Sequence, residues 1–202
     1  MINTRQLEKI VLASGNAGKL REFSRIFAGH ALQVLPQSLF NIQDAEETGL
    51  SFVENAIIKA RHAARASGLP ALADDSGLAV DALDGRPGIY SARFSGDNAT
   101  DADNNDKLLQ MLAAVPQEQR GASFHCVLVL MRHAEDPVPM IFHGQWYGHI
   151  LTEPRGSKGF GYDPLFFCLH QQCSSAELDA DVKNRISHRG QAVAQLIRAL
   201  NG

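Results

Sequence analysis

A mixed α/β fold whose sheet includes a hairpin is the class this sequence predicts. Short apolar runs alternate with segments of helical periodicity along the first half of the chain. Two long β-type runs, Ala122 to Met131 and Val138 to Leu151, flank the polar segment His133-Ala-Glu-Asp-Pro137, the pattern of a hairpin. Helix-capping residues stand ahead of the helical segments. Together these favour strands and helices layered around a sheet over an all-helical or all-β chain.

Taken in order, Ile10 to Ala13 reads as a short strand and Ser14 to Lys19 as a loop. A helix follows with Leu20, Phe23 and Phe27 on one face, and Ala31 to Leu35 reads as a second strand closed by Pro36. Ser51-Phe-Val-Glu54 has the form of a capping box, opening a helix through Ala56, Ala60, Ala63 and Ala64 that Gly68-Leu-Pro70 ends. Thr100 or Asp101 caps the next helix, whose inner side carries Leu108, Leu109 and Leu112. The last helix begins near Ser187 and carries Val193, Leu196, Ile197 and Leu200. The stretch Cys168 to Ala176 reads as a loop.

At 202 residues the chain makes one domain, or one domain with two lobes, large enough to bury a core without staples. Lys plus Arg number 19 and Asp plus Glu 22, so the net charge is −3 with His neutral. That balance gives no general attraction to nucleic acid, so any bound phosphate must meet a local cluster. The first residues lack the apolar core of a signal peptide, and the longest apolar run, Cys126 to Met131, is too short to span a bilayer. Three cysteines without a secretion signal point to reduced thiols and a cytoplasmic protein. Cys168 and Cys173 flank His170, but no fourth metal ligand stands nearby, and packed thiols are the expectation.

Five places carry chemistry. In Pro70 to Gly96 an apolar run ends in Asp74 and Asp75, followed by Ser76-Gly77 and a second apolar run. Adjacent side chains on a strand point to opposite faces, so one carboxylate can brace the strand end while the other faces a cleft. A polar turn between strands is the bland alternative. Ser14-Gly15-Asn16-Ala17-Gly18-Lys19 joins a strand to a helix N-terminus, where small residues let backbone N–H groups approach phosphate and Lys19 adds charge. It is not a P-loop, which needs Gly in place of Ala13 and Ser or Thr in place of Leu20. Glu46 and Glu47 precede a helix on which Asn55 and Lys59 share a face; with Asp75 they can complete an oxygen-ligand Mg²⁺ site, or they are surface charge. Gly159-Phe160-Gly161-Tyr162-Asp163-Pro164 offers an aromatic face to stack on a nucleobase and groups to read its edge, or is a packed aromatic turn. Last come Lys183 and Ser187-His188-Arg189-Gly190. Basic residues in a first helical turn oppose the helix dipole, a conflict that an anion or a base carbonyl would resolve.

These segments resemble the inosine triphosphate pyrophosphatase family, most closely its bacterial branch, the dITP/XTP pyrophosphatases. The resemblance runs over nearly the whole chain. It is carried by Ser14 to Lys19, Glu46 to Ala56, Ala73 to Leu78, Pro87 to Arg93, Gly159 to Pro164 and Ser187 to Arg189. It implies a two-lobed single α/β domain over residues 1–202, with a long mixed sheet flanked by helices and an active cleft between the lobes. It implies Mg²⁺-dependent hydrolysis of a nucleoside triphosphate between the α and β phosphates, with hypoxanthine and xanthine preferred, by a cytoplasmic homodimer that uses neither nucleic acid nor membrane. Asp75 falls on the family's proton acceptor and metal ligand, and Glu46 or Glu47 on its acidic metal position. Ser14 to Lys19 fall on the triphosphate loop, Ser76 on a substrate contact and Lys59 on a phosphate contact. Phe160, Gly161, Tyr162, Asp163, Lys183, His188 and Arg189 fall on nucleotide-recognition positions. A Maf-like pyrophosphatase and a non-catalytic nucleotide sensor are the rivals. The Phe160 to Asp163 and Ser187 to Arg189 segments weigh against the first, and intact Asp75, Glu46, Glu47 and Lys19 against the second.

Overall fold

The computed structural model describes residues 7–28 and 32–201. Its strands are β1 (Lys9–Ala13), β2 (Gln33–Pro36), β3 (Ala71–Val80), β4 (Gly121–Met131), β5 (Met140–Ile150), β6 (Phe166–Cys168) and β7 (Cys173–Ser174). Its α-helices are α1 (Ala17–Ile26), α2 (Phe52–Ser67), α3 (Asp101–Met111), α4 (Ala180–Ile186) and α5 (His188–Asn201). The strands form one sheet in the order β2-β1-β3-β4-β5-β6-β7. β1 pairs in parallel with β2 and β3, whereas β5–β6 and β6–β7 are antiparallel. The mixed, helix-flanked α/β sheet expected from the sequence is therefore present. Ala31, expected to open the second strand, lies outside the described residues, and that strand starts at Gln33.

The chain divides into two compact units. The first holds the described residues up to Asp75, Cys126–Gly144 and the described residues from Arg189 on; the second holds Ser76–His125 and Gln145–His188. In the first unit, strand alternation sorts side chains between two helical layers. Val11, Ala13, Ala71 and Ala73 pack with Ala56, Ala60, Ala63 and Ala64 of α2. Four alanines on one helical face let α2 lie close to the sheet. Ile10, Leu12 and Leu72 pack on the other face with Phe23 of α1 and with Ala192, Val193 and Leu196 of α5. The β1–β3 register, Val11 to Ala71 and Leu12 to Leu72, holds both sets in phase. In the second unit Leu78, Leu108, Leu112, Phe124, Trp146, Tyr162 and Phe166 form one core. Trp146 therefore belongs to that core, while Tyr147 is 64% exposed.

Helix starts follow the capping residues. Thr100 and Asp103 form a full capping box on α3. Ser51 accepts from Glu54 N on α2, but the Glu54 carboxylate accepts from Leu50 N and from the Ser51 hydroxyl. Two expectations are corrected, and one element is added. β3 does not end at Asp74; it runs unbroken through Asp74-Asp75-Ser76-Gly77 to Val80. The stretch Cys168 to Ala176 contains the β6–β7 hairpin, and Ser174 and Ser175 in it are buried. A short helix, α4, precedes the last one.

The β4–β5 connection is pinned by Asp136, which is buried. Its carboxylate accepts from Arg132 N, Arg132 Nε (2.7 Å) and Val138 N (3.1 Å). The Arg132 bonds, and the two backbone bonds, hold its pKa below the ordinary carboxylate range despite burial. A depressed folded-state pKa contributes stability above the unfolded value of about 3.9, and that contribution is lost as pH falls below it. Asp136→Asn is expected to lower stability by about 1–3 kcal/mol at neutral pH. In urea unfolding the gap from the parent should narrow as the pH is taken below about 3.9.

Candidate active site

The first cluster grows from β3. Because adjacent residues on a strand face opposite ways, Asp74 and Asp75 are delivered to different sides of the sheet. Asp74 follows Leu72 onto the α1/α5 side. There its Oδ1 meets Lys19 Nζ at 2.6 Å and its Oδ2 accepts from Arg189 Nε at 2.8 Å and from Cys126 Sγ at 3.3 Å. Arg189 Nη1 also pairs with Glu22 of α1. Burial alone would raise the Asp74 pKa, but Arg189 and then Lys19 hold it well below the usual range. Burial likewise works against the Arg189 charge, and Asp74 and Glu22 reverse it, raising its pKa. The Cys126 thiol, buried beside Asp74, is pushed far up and stays protonated.

Asp75 follows Ala73 onto the α2 side. Its Oδ1 lies 2.6 Å from Lys59 Nζ, and the same ammonium lies 2.9 Å from Glu47 Oε1. Burial raises the Asp75 pKa by more than Lys59 and Lys19 lower it, and Glu47 adds to the rise. Burial also opposes the Lys59 charge, but Asp75 and Glu47 outweigh it and raise that pKa. Asn55, one turn before Lys59, accepts from Gly49 N at 2.8 Å and so fixes the segment that carries Glu47. Glu46 is exposed and lines a hollow with Asp44, Arg61, His62 and Arg65. Of the two acidic candidates, the structure brings Glu47 to Asp75.

Among the described residues, no group of three or more His, Cys, Asp or Glu side chains is assembled around one point. Mg²⁺ is commonly held by one or two carboxylates, with substrate phosphates and waters completing the shell. Asp75 and Glu47, two hard oxygen donors already converging on one cation, fit that demand. Nearby, the Ser14 to Lys19 loop is tied internally: Asn16 N donates to Ser14 Oγ (3.2 Å) and Lys19 N to Asn16 Oδ1 (3.0 Å). Asn16 is thus the N-cap of α1. Gly15, Ala17 and Gly18 carry the remaining backbone donors at that helix start.

The second cluster centres on Asp163. Its Oδ2 accepts from Lys183 Nζ (2.6 Å) and Phe160 N (2.9 Å), and its Oδ1 from Ser175 Oγ (2.8 Å). Gly159 sits at φ +80°, and a side chain there would collide with the Asp163 carboxylate. Glycine is therefore required for this turn. Lys183 Nζ lies 5.2 Å from the centre of the Phe160 ring, which is half-buried rather than fully exposed. Gly161 is gripped by α3: its N donates to Asp101 Oδ2 (2.6 Å) and its O accepts from Asn105 Nδ2 (2.9 Å). Tyr162 turns into the core, where its hydroxyl donates to Ser91 O. The His188 ring stacks on Phe124, with centres 4.8 Å apart. Ser76, half-buried, continues β3 in this unit.

Sequence reasoning grouped most of these residues but missed Glu22, Cys126, Ser175, Asp101 and Asn105. Asp101 and Asn105 carried a usable signal, being four apart on one helix and polar. The conflict of Arg189 with its helix dipole is resolved inside the protein, by Asp74 and Glu22.

The first unit thus holds a buried acidic pair with lysines on both faces of the sheet, and the second an Asp–Lys–aromatic turn. The chain belongs to the Ham1 family, whose model matches residues 10–199. It is 56% identical to the dITP/XTP pyrophosphatase of Vibrio cholerae over 96% of this chain and 97% of that one. It is 57% identical to the dITP/XTP pyrophosphatase of Escherichia coli O157:H7, covering 96% and 98%. The solved HAM1 protein of Coxiella burnetii superposes with a TM-score of 0.89 at 53% identity, covering 96% and 98%.

Arg189→Met removes one partner from a buried carboxylate and strands part of its charge. Loss of a buried partner typically costs about 3–5 kcal/mol. Urea unfolding of this variant should show a loss of that size, whereas Arg65→Met, which breaks an exposed pair with Glu135, should change stability by less than about 1 kcal/mol.

Proposed function

We propose that this protein hydrolyses deaminated purine nucleoside triphosphates, dITP, ITP, XTP and dXTP, to the monophosphate and pyrophosphate, and so cleanses the nucleotide pool. One observation carries the reading. Asp75 is a buried carboxylate whose pKa is raised by burial while Lys59 holds it in place, the state of a group poised to take a proton from water. The high identity to curated dITP/XTP pyrophosphatases over nearly the full chain supports the substrate class.

The first cluster handles the phosphates. Asp75 accepts the proton of the attacking water as it adds to the α phosphorus. Lys59 and Lys19 supply fixed positive charge against the charge that grows on departing pyrophosphate. The N–H groups of Gly15, Ala17 and Gly18 add donors without a net charge of their own. Mg²⁺, for which Asp75 and Glu47 provide the donors, would offset phosphate charge and polarise the bond being broken.

The second cluster handles the base. The Phe160 face stacks on the purine without much discrimination, since every base has a π face. Lys183, whose position Asp163 fixes, and backbone N–H groups favour the 6-oxo group of hypoxanthine and xanthine over the amino group of adenine. A cytoplasmic location and a homodimeric state belong to the same reading. The cytoplasmic location accords with the free cysteines; among the described residues no helix is long and apolar enough to cross a membrane.

Incubation with Mg²⁺ and separate dITP, XTP, dGTP, dATP and dCTP tests the proposal. Pyrophosphate from dITP and XTP, little from the others, and loss of turnover when Mg²⁺ is chelated are expected. Release of orthophosphate would place cleavage at another bond and contradict the mechanism. Binding without turnover would favour the sensor.

A further inference from the structure

The β6–β7 hairpin holds two cysteines that the nucleotide chemistry does not use. Cys168 ends β6, Cys173 begins β7, and the two are directly opposed in the antiparallel register. Opposed residues on antiparallel neighbours have Cα atoms about 4.5–5.5 Å apart and side chains on one face of the sheet. A disulfide accepts Cα separations of about 4.4–6.8 Å. Both thiols are free, and both pack in one apolar cluster with Phe166 and Leu178. The loop between them closes on itself, with Gln172 N donating to Cys168 O at 2.9 Å. The register therefore places the two cysteines as an opposed pair of the kind whose Cα separation falls in a disulfide's range.

We propose that Cys168 and Cys173 form a modification site, closing a reversible disulfide within the hairpin by exchange with a small-molecule disulfide of the glutathione class. Cys173, the less buried of the two, is the entry point. It loses its proton, and its thiolate attacks one sulfur of the small disulfide. That S–S bond breaks and the departing thiolate takes up a proton. Cys168 then loses its proton and attacks the Cys173 sulfur, expelling the second small thiolate, which is also protonated. Two protein thiols are oxidised by two electrons, and one small disulfide is reduced to two thiols.

Burial, followed by the neighbouring Cys173, pushes the Cys168 thiol up to about 12, and burial with Glu177 raises Cys173. Exchange is therefore slow near neutrality and quickens as pH rises, because the thiolate is the attacking species. The consequence reaches the second cluster. β7 runs directly into Ser175, whose hydroxyl bonds Asp163, so a cross-link tethers the strand that supplies this support. The chemistry stands independently of which nucleotide the protein cleaves.

The test incubates the full chain with oxidised glutathione at pH about 8.5, near the pKa of a free thiol. The sample is then alkylated under denaturing conditions and the peptide containing both cysteines is weighed. The expected peptide is two hydrogens lighter, unalkylated at both cysteines and restored by dithiothreitol, while Cys126 remains alkylated. Cys173→Ser should abolish this product. Two alkylated thiols in the parent protein, an unresolved glutathione adduct on Cys173, or a link between two chains overturns the proposal. The parent protein alone decides the matter if the variant folds poorly.

Discussion

The buried carboxylate of Asp74 is the interaction on which the rest of the first unit depends. It sits on a central strand with its side chain sealed from water, and it meets Lys19 from α1 and Arg189 from α5. An unpaired charge at such a position is costly, so both helices must be docked before the strand is tolerable there. The pair Arg189–Asp74 spans 115 residues of sequence and Arg189–Glu22 spans 167. One acidic side chain thereby ties the start, middle and end of the chain to one face of the sheet.

The neighbouring residue uses the same strand differently. The alternation that sends Asp74 to α1 and α5 sends Asp75 to α2, where Lys59 is shared with Glu47. The electrostatic consequences have opposite sign. The Asp74 charge is favoured by its surroundings, while that of Asp75 is disfavoured by burial. The first carboxylate therefore stabilises the fold, and the second is held at some cost, as is usual where chemistry is done.

Much of this was legible in sequence. Capping residues marked the starts of α2 and α3, the hairpin turn marked β4 and β5, and the sequence segments named candidates of which the structure brings Lys19, Glu47, Lys59, Asp75, Asp163 and Lys183 into the two clusters. What failed had physical causes. Two adjacent acids interrupt an apolar run, so β3 read as ending at Asp74; the distant Arg189 and Lys19 that make its continuation possible are invisible locally. α4 spans seven residues, too few for a clear 3.6-residue period. Ser175 and Glu22 act only through tertiary partners, and their surrounding sequence is unremarkable. Glu46 and Glu47 are equivalent in sequence, and only the path of the loop, fixed by Asn55 on Gly49, separates them.

The most direct test of this division compares Asp74→Asn with Asp75→Asn, each assayed for urea unfolding and for dITP turnover. Asp74→Asn should lose about 3–5 kcal/mol of stability. Asp75→Asn should lose less stability than Asp74→Asn, because burial disfavours the Asp75 charge and Lys59 keeps Glu47 as a partner. It should nonetheless lose about 10²–10⁴ in kcat. Near-parental turnover by Asp75→Asn, or equal loss of stability in both variants, would contradict this division.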